Sequence, residues 1–436
     1  MALSAATAEA RPKAWRQWVS VVGPGAVFVL STVGPQDLVA NAAMGASYGY
    51  SALWAFVLIL LVRFAVLESS ARYVVVTGES LLQGYQRAGR WVVWMIFGAL
   101  ILKRHLSNMS QLLLLGAFAH LLVPLPFGGS AKIWSVLLWS LGFALMYWGR
   151  YQAVRSVSKP LVAFLGGALL AVALLSKPSP AGIASGFLPG LPAEQGPYAF
   201  LFLLMSLAGS AAGSMGNLKY ATFVHETGWR EASQLKKQRT DLLVSVTAIF
   251  GMGALIQVAA AAVLHPAGTA VVEVEDMVPI FSSALGEAGR LILGAGILAA
   301  VFNVYLGTNT GYSMVTADIW HKCLRQKAGS APQEAPSRQR AYRWFLLWFC
   351  GSPVYVLLTS WKPVWITLIS TALVVPLLPL VLLVLLRLNN DRRLLGKHAN
   401  GWLVNAVLLA AAGAACWLAW RNATDFWAED LSRLFG

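Results

Sequence analysis

The chain has 436 residues, of which 58% are hydrophobic and only 12% carry a charged side chain. A soluble domain is about 45–50% apolar and about 25% charged, so this composition excludes an ordinary soluble protein. The formal net charge of +15 does not indicate a nucleic-acid partner, because the basic residues lie in short loops between apolar runs.

Eleven apolar runs are each long enough to cross a bilayer of about 30 Å as a helix. They cover residues 19–48, 52–76, 91–121, 133–149, 156–175, 197–227, 240–264, 290–316, 341–360, 362–387 and 402–420. Most of the Lys and Arg residues between them fall on one side if the N-terminal segment 1–18 is cytoplasmic. The sequence therefore predicts an all-α polytopic membrane protein, in a bacterial inner membrane, with an external tail at 421–436.

The first run is interrupted near its middle by the stretch STVGPQD. Gly34 and Pro35 disfavour a continuous helix, since proline lacks an amide donor and clashes with the preceding turn. Gln36 and Asp37 follow directly, and a carboxylate within a membrane span is by default a candidate functional site. Two other interpretations stay open: Gly34-Pro35 as a simple kink, and Asp37 as a cap on the second half-helix.

The sixth run carries a second interruption, which reads GSAAGSMGN. Gly213, Gly216 and Asn217 are poor residues for a helix interior, and Ser214 and Met215 lie between them. Close packing of small residues is the alternative explanation. Because the two interruptions occupy corresponding places in two five-helix halves, they predict an inverted-repeat transporter whose substrate lies between the breaks.

Three segments carry a resemblance to a known family. They are GPGAVFVLSTVGPQDLVANAAMGASYGY with the helix that follows it, YQAVRSVSKPLVAFLGGALL with the loop SKPSPAGIASGFLPGLP, and SMGNLKYATF. Here the chain resembles the natural resistance-associated macrophage protein family of proton-coupled divalent metal transporters. The resemblance implies the leucine-transporter fold: a five-helix repeat over 19–175, a second, inverted repeat over 197–387, and an extra helix at 402–420.

The binding motifs depart from those of that family. Where the family has Asp-Pro-Gly-Asn, this chain has Gly34, Pro35, Gln36 and Asp37, and where the family has Met-Pro-His-Asn, it has the stretch 214–217. The resemblance thus implies a metal site of Asp37, Asn217 and Ser214, with Met215 adjacent. Oxygen ligands suit hard cations such as Mg²⁺ or Mn²⁺ rather than soft transition metals.

The third run contains Lys103, Arg104 and His105 where the family has acidic residues for proton coupling. We expect these side chains to lie at the cytoplasmic edge and to extend toward water. The alternative places them within the membrane, where they pair with Glu68 or attract an anion.

Several further polar residues lie within predicted spans. Glu68 and Arg72 are four residues apart on one helix face, which favours a structural ion pair over a transport role. Asn303, Tyr305 and Asn309 either line the permeation route or form contacts between helices.

Lys219 either extends toward the membrane surface or occupies a cation site as a fixed charge. His225 and Glu226 end the sixth run and are candidates for substrate or proton release.

Together these observations predict a secondary transporter that works by alternating access and moves a divalent cation, with a coupling proton or Na⁺ as a further partner. A small polar organic or amino-acid-like substrate is the first alternative, and a membrane receptor or scaffold without transport is the second. We expect no enzyme activity and no cofactor, because no nucleophile–base pair, zinc spacing or phosphate loop is found in the sequence.

Overall fold

The computed structural model describes residues 34–126, 128–148, 164, 166–211, 216–321 and 340–425, and these residues form helices, turns and loops without a β-strand. The first half contains α1 (Pro35–Tyr48), α2 (Leu53–Thr77), α3 (Leu81–Ala88), α4 (Arg90–Leu122), α5 (Ser130–Tyr147), α6 (Gly166–Leu175) and α7 (Pro180–Gly186). The second half contains α8 (Phe200–Ala211), α9 (Gly216–Glu226), α10 (Leu235–Val263), α11 (Val278–Leu285), α12 (Glu287–Asp318), α13 (Arg340–Gly351), α14 (Pro363–Ala372), α15 (Leu378–Asn390), α16 (Arg392–Leu395) and α17 (Trp402–Asp425).

The all-helical architecture is confirmed, and every predicted span contains at least one of these helices. Within the described residues, seven helical stretches are long and apolar enough to cross a membrane, or eight if the bent pair α6–α7 counts as one. The count of eleven spans therefore stays a prediction.

The tenth run is less regular than expected: α14 ends at Ala372 and α15 begins at Leu378. Pro376 and Pro379 lie at this junction and remove amide donors that a continuous helix needs.

Close helix contacts occur both between the two halves of the chain and within the second half. A Cβ at Gly45 of α1 would lie 2.4 Å from the Gln257 carbonyl oxygen of α10, and one at Gly209 of α8 would lie 2.0 Å from the Thr371 carbonyl oxygen of α14. Glycine at these positions lets the backbones approach, as is common where membrane helices pack. As a result α1 is enclosed by α8, α10 and α14.

Large apolar side chains cover much of the outer surface. Leu58 and Leu61 of α2 and Leu137 and Leu141 of α5 are more than half exposed or close to it, at 51%, 52%, 53% and 51%. A water-soluble protein seldom exposes such contiguous apolar surface, whereas a bilayer solvates it. The chain is thus an integral membrane protein.

Candidate functional site

The start of α1 has the geometry of a helix end within the protein. Gly34 is buried with an extended backbone (φ −129°, ψ 167°), and Pro35 is the first helical residue. The Asp37 carboxylate, in the first turn, lies within hydrogen-bonding reach of the Gly34 amide. A carboxylate at this position complements the helix dipole, in keeping with the capping interpretation. Residues 19–33, the first half of this predicted span, lie outside the described part.

Asp37 also lines a small cavity between α1, α2, α8 and α10. Its walls include Asn41, Arg63, Ser210 and Phe250, and its volume is about 20 Å³, which is room for about one water molecule. Ser210 lies within hydrogen-bonding reach of the Asp37 carboxylate. The carboxylate thus faces a small, partly open cavity that polar and apolar side chains line together.

Arg63 places a positive charge on this cavity. Its side chain is 2% exposed, and its Cζ lies 5.6 Å from the centre of the Phe250 ring. Asp37 interacts electrostatically with Arg63 and with Lys103. Arg63 was not among the predicted site residues, although a basic residue inside the apolar run LILLVRFAV indicates a candidate functional position.

Two other predicted site residues, Gln36 and Asn217, form hydrogen bonds with different helices. Gln36 Nε2 donates a hydrogen bond to Ser370 Oγ of α14 (3.2 Å), and Asn217 Nδ2 donates one to Tyr85 Oη of α3 (2.8 Å). Neither residue lines the Asp37 cavity. Gly213, Ser214 and Met215 lie outside the described residues.

A second group of basic side chains lies close to this site, around the ring of Tyr312 on α12. Lys103 Nζ, Arg104 Cζ and Lys219 Nζ lie 5.8, 5.8 and 5.9 Å from the centre of that ring. Arg104 and Lys219 are each 3% exposed, and Lys103 is partly buried. We call Lys103, Arg104 and Lys219 the basic cluster. Lys219 is thus buried and does not extend toward the membrane surface, whereas its role as a fixed charge in a cation site stays a prediction.

The expectation that Arg104 extends toward water at a membrane edge is wrong. Helix α4 continues through this position without a break from Arg90 to Leu122. The Arg104 guanidinium lies along the same helix and donates hydrogen bonds to Asn108 and, at 2.9 Å, to Gln111. These two residues, one and two helical turns further on, give Arg104 hydrogen-bond partners inside the protein.

The basic cluster and the Asp37 cavity form one electrostatic unit. Lys103 and Lys219 each interact with Asp37, Arg63 and Arg104. Four basic side chains therefore share this interior region with the carboxylate of Asp37. In surroundings of low dielectric constant such charges act over longer distances than they do in water.

Glu68 and Arg72 form the ion pair that their spacing predicted, with 3.2 Å between Arg72 Nη2 and Glu68 Oε2. Arg239 Nε of α10 donates to the same carboxylate at 2.9 Å. Arg72 also donates to the Asn400 side chain and to the His398 carbonyl oxygen (3.2 Å). This network joins α2, α10 and the segment before α17, and it does not line the Asp37 cavity.

The polar residues of α12 mostly join helices. Tyr305 Oη donates to the Trp139 carbonyl oxygen (2.9 Å), and the two rings stack 3.9 Å apart. Asn309 and Asn108 exchange amide hydrogen bonds of 2.8 and 3.2 Å, while Asn303 is buried. Tyr305 and Asn309 thus join neighbouring helices.

The end of α9 holds the last two predicted residues. Arg230 Nη2 donates to the His225 carbonyl oxygen (3.4 Å), and α9 ends at Glu226. His225 is partly buried. His225 does not line the Asp37 cavity.

Within the described ranges, no group of three or more His, Cys, Asp or Glu side chains is arranged to hold a metal ion. A cation in the Asp37 cavity would instead meet one carboxylate, the hydroxyl of Ser210 and the amide oxygen of Asn41, with the guanidinium of Arg63 nearby. These are oxygen ligands of the kind that hard cations prefer.

Comparison with known proteins gives a consistent result. The model of a family described as natural resistance-associated macrophage protein-like matches residues 25–423. The divalent metal cation transporter MntH of Nostoc sp. is 22% identical over 425 residues, covering 93% of this chain and 91% of that protein. MntH of Bradyrhizobium diazoefficiens is 24% identical over 416 residues, covering 92% and 88%.

Solved structures show a similar fold. The Eremococcus coleocola manganese transporter, crystallised with an aromatic bis-isothiourea substituted compound, has a TM-score of 0.70 at 14% identity, with 94% of this chain and 88% of that chain covered. MhsT in complex with L-phenylalanine has a TM-score of 0.56 at 13% identity, with 91% and 96% covered. At these identities the similarity concerns the fold.

Proposed function

Because the chain belongs to the natural resistance-associated macrophage protein family, we propose that it is a secondary transporter that moves a divalent metal cation by alternating access. It is an integral membrane transporter and not an enzyme, in keeping with that family and with the relatives named above. The relatives are named for divalent metal cations, and one neighbour for manganese. Those names are the reason for proposing this class of substrate.

The observation that carries the proposal is the position of Asp37. It lies at the point where an extended glycine meets the start of a helix, beside a small cavity within a bundle of apolar helices. A carboxylate in such a place is costly unless it has a function or a partner. The side-chain oxygens that the cavity offers, from Asp37, Ser210 and Asn41, support a hard cation such as Mn²⁺ or Mg²⁺. Asn217 and Ser214 are proposed to complete the site when the helices rearrange.

The proposed architecture consists of repeats over 19–175 and 197–387, with an added helix at 402–420. The distribution of Lys and Arg supports a cytoplasmic N-terminus in a bacterial inner membrane. A proton or Na⁺ is the proposed coupling ion. Movement of one repeat against the other would expose the Asp37 cavity to each side in turn.

Flux into sealed proteoliposomes tests this function. We expect the wild-type chain to carry Mn²⁺ or Mg²⁺, and Asp37→Ala to reduce the rate to that of empty liposomes. Ser370→Ala is the matched control, because it removes the neighbour of Gln36 but leaves the carboxylate.

The same preparation distinguishes the two alternatives. Uptake of amino acids without uptake of Mn²⁺, Mg²⁺ or Ca²⁺ would favour the organic substrate. A protein that is folded and correctly inserted but carries none of these would contradict transport and favour a receptor.

A further inference from the structure

Four helix ends meet at one level of the bundle, where aromatic rings join them. The ring centre of Phe97, near the start of α4, lies 6.1 Å from that of Trp320, directly after α12, and 5.9 Å from that of Phe345, near the start of α13. Arg343 of α13 lies 5.5 Å from the ring centre of Tyr147, the last residue of α5. Helices α4 and α13 therefore begin at the level where α5 and α12 end.

Exposed tryptophans mark this level on the outer surface. Trp91 and Trp94 lie at the start of α4, Trp344 and Trp348 lie on α13, and Trp148 directly follows α5. Trp148 and Trp344 are each 71% exposed. Tryptophan is enriched where a membrane meets water, because its ring is apolar and its indole N–H is polar. The tryptophans therefore indicate the level of the lipid headgroups.

One face of α13 is exposed and combines basic with apolar side chains. Its residues are Arg340, Arg343, Trp344, Leu347 and Trp348, and this spacing places them on one side of a helix. The two arginines lie within the first four residues, and the apolar side chains follow. Among the residues that the structure describes, neither arginine takes part in an ion pair. The face thus offers two positive charges next to an apolar surface.

The Tyr147 ring positions one of these charges. Arg343 Cζ lies over the ring, and the Trp148 ring packs edge-on against Tyr147 with 6.1 Å between the ring centres. A cation over an aromatic face is attracted by the ring. This contact does not use the in-plane N–H donors of the guanidinium as a carboxylate would, so the donors stay available for an oxyanion.

We propose that this face of α13 binds an anionic phospholipid. Arg340 and Arg343 would hold the headgroup phosphate through charge-assisted hydrogen bonds, and an acyl chain would lie along Trp344, Leu347 and Trp348. A lipid with a net negative charge fits best, because the ammonium of a zwitterionic headgroup offsets the charge of its own phosphate. Under the orientation proposed above, the site faces the cytoplasmic leaflet, where each basic residue near the surface strengthens the attraction of anionic lipid about fivefold.

This inference goes beyond the proposed cation transport, because its ligand is a lipid and its residues lie on the outer surface. None of the residues of α13 lines the Asp37 cavity. Lipid binding can therefore be measured without measuring flux.

Native mass spectrometry of the purified full-length protein in detergent tests the proposal. The titrants are phosphatidylglycerol, phosphatidylcholine with the same acyl chains, and glycerol 3-phosphate, which is a headgroup without chains. We expect the wild type to bind phosphatidylglycerol at least about tenfold more tightly than the other two. The double variant Arg340→Gln/Arg343→Gln should lose this preference and bind phosphatidylglycerol only about as tightly as phosphatidylcholine.

The double variant Arg392→Gln/Arg393→Gln is the matched control. It removes the same amount of charge, from two exposed arginines of the short helix α16. A general attraction between anionic lipid and a basic protein would weaken equally in both double variants. We expect the control instead to bind phosphatidylglycerol like the wild type.

Thermal unfolding in detergent separates lipid binding from misfolding. Without added lipid, both double variants should unfold close to the temperature of the wild type, because substitutions of exposed side chains have small effects on stability. Phosphatidylglycerol should raise the unfolding temperature of the wild type and of the control. It should not raise that of Arg340→Gln/Arg343→Gln.

Equal affinity of the wild type for phosphatidylglycerol and phosphatidylcholine would overturn the inference, as would equal losses in the two double variants. Glycerol 3-phosphate that binds as tightly as phosphatidylglycerol would also contradict it, since the acyl chain would then contribute nothing. A protein that carries no Mn²⁺ or Mg²⁺ but keeps its lipid preference would contradict only the proposed transport.

Discussion

Arg63 of α2 and Asp37 of α1 line one small cavity and interact electrostatically. The guanidinium thus places a positive charge next to the carboxylate that a cation would bind. Any divalent cation that binds Asp37 must either displace this guanidinium or share the carboxylate with it. The basic cluster, which also interacts with Asp37, strengthens the same effect.

Arg63→Gln should therefore strengthen binding of divalent cations. We expect the dissociation constant for Mn²⁺ to fall about tenfold, or about 1.4 kcal/mol, because a repelling charge next to the carboxylate is removed. Calorimetric titration of the purified protein measures this. Arg343→Gln is the control, since Arg343 is exposed and lies 5.5 Å from the Tyr147 ring in a similar arrangement. The gain should vanish when Asp37→Asn is added, and a gain that persists there would contradict the account.

Glu68→Gln should destabilise the protein strongly. It leaves Arg72, whose side chain is 4% exposed, without its carboxylate, and breaking a buried pair by removing one partner costs about 3–5 kcal/mol. Arg239→Gln removes the other partner, whose side chain is 51% exposed, and should cost less than about 1 kcal/mol. The midpoint of thermal unfolding in detergent compares the two. Equal shifts would show that Arg72 does not depend on Glu68.

Gly209→Ala should separate α8 from α14. The added methyl would lie 2.0 Å from the Thr371 carbonyl oxygen, and since this is backbone, the helices must move apart. We expect a cost of about 1–3 kcal/mol, seen as a lower thermal midpoint and less monodisperse protein. Gly98→Ala on α4 is the matched control, because no atom lies within 4 Å of its added Cβ. It should be neutral or slightly stabilising, since alanine favours helix.

Tyr48 and Glu194 should prove energetically coupled. Tyr48 Oη, at the end of α1, lies 2.7 Å from Glu194 Oε2 and 2.7 Å from the Tyr198 carbonyl oxygen. The same Glu194 oxygen accepts from the Phe200 amide at 2.9 Å, where α8 begins. A double-mutant cycle of Tyr48→Phe and Glu194→Gln, measured by denaturation with sodium dodecyl sulfate in mixed micelles, should give a coupling of about 1 kcal/mol. Strictly additive effects would mean that this bond does not join the two helices.

Local features of the chain were predictable from the sequence. Apolar run lengths located the helices, and glycine followed by proline located the start of α1, because both depend on the residues of one segment alone. The spacing of Glu68 and Arg72 predicted their ion pair, since residues four apart always share a helix face. The same holds for the cap that Asp37 provides for its own helix.

Contacts between distant segments required the tertiary structure. The sequence offered two interpretations for Lys219 and favoured the wrong one for Arg104. The residues of one helix determine neither how deeply a side chain is buried nor which other helix it faces. In a membrane, lipid tails are as apolar as leucine, so the apolar pattern of a helix does not determine which other helices it contacts. Small residues such as Gly45 and Gly209, together with polar contacts, determine the packing instead. This packing places Arg63 next to Asp37 and places three basic side chains of α4 and α9 around Tyr312.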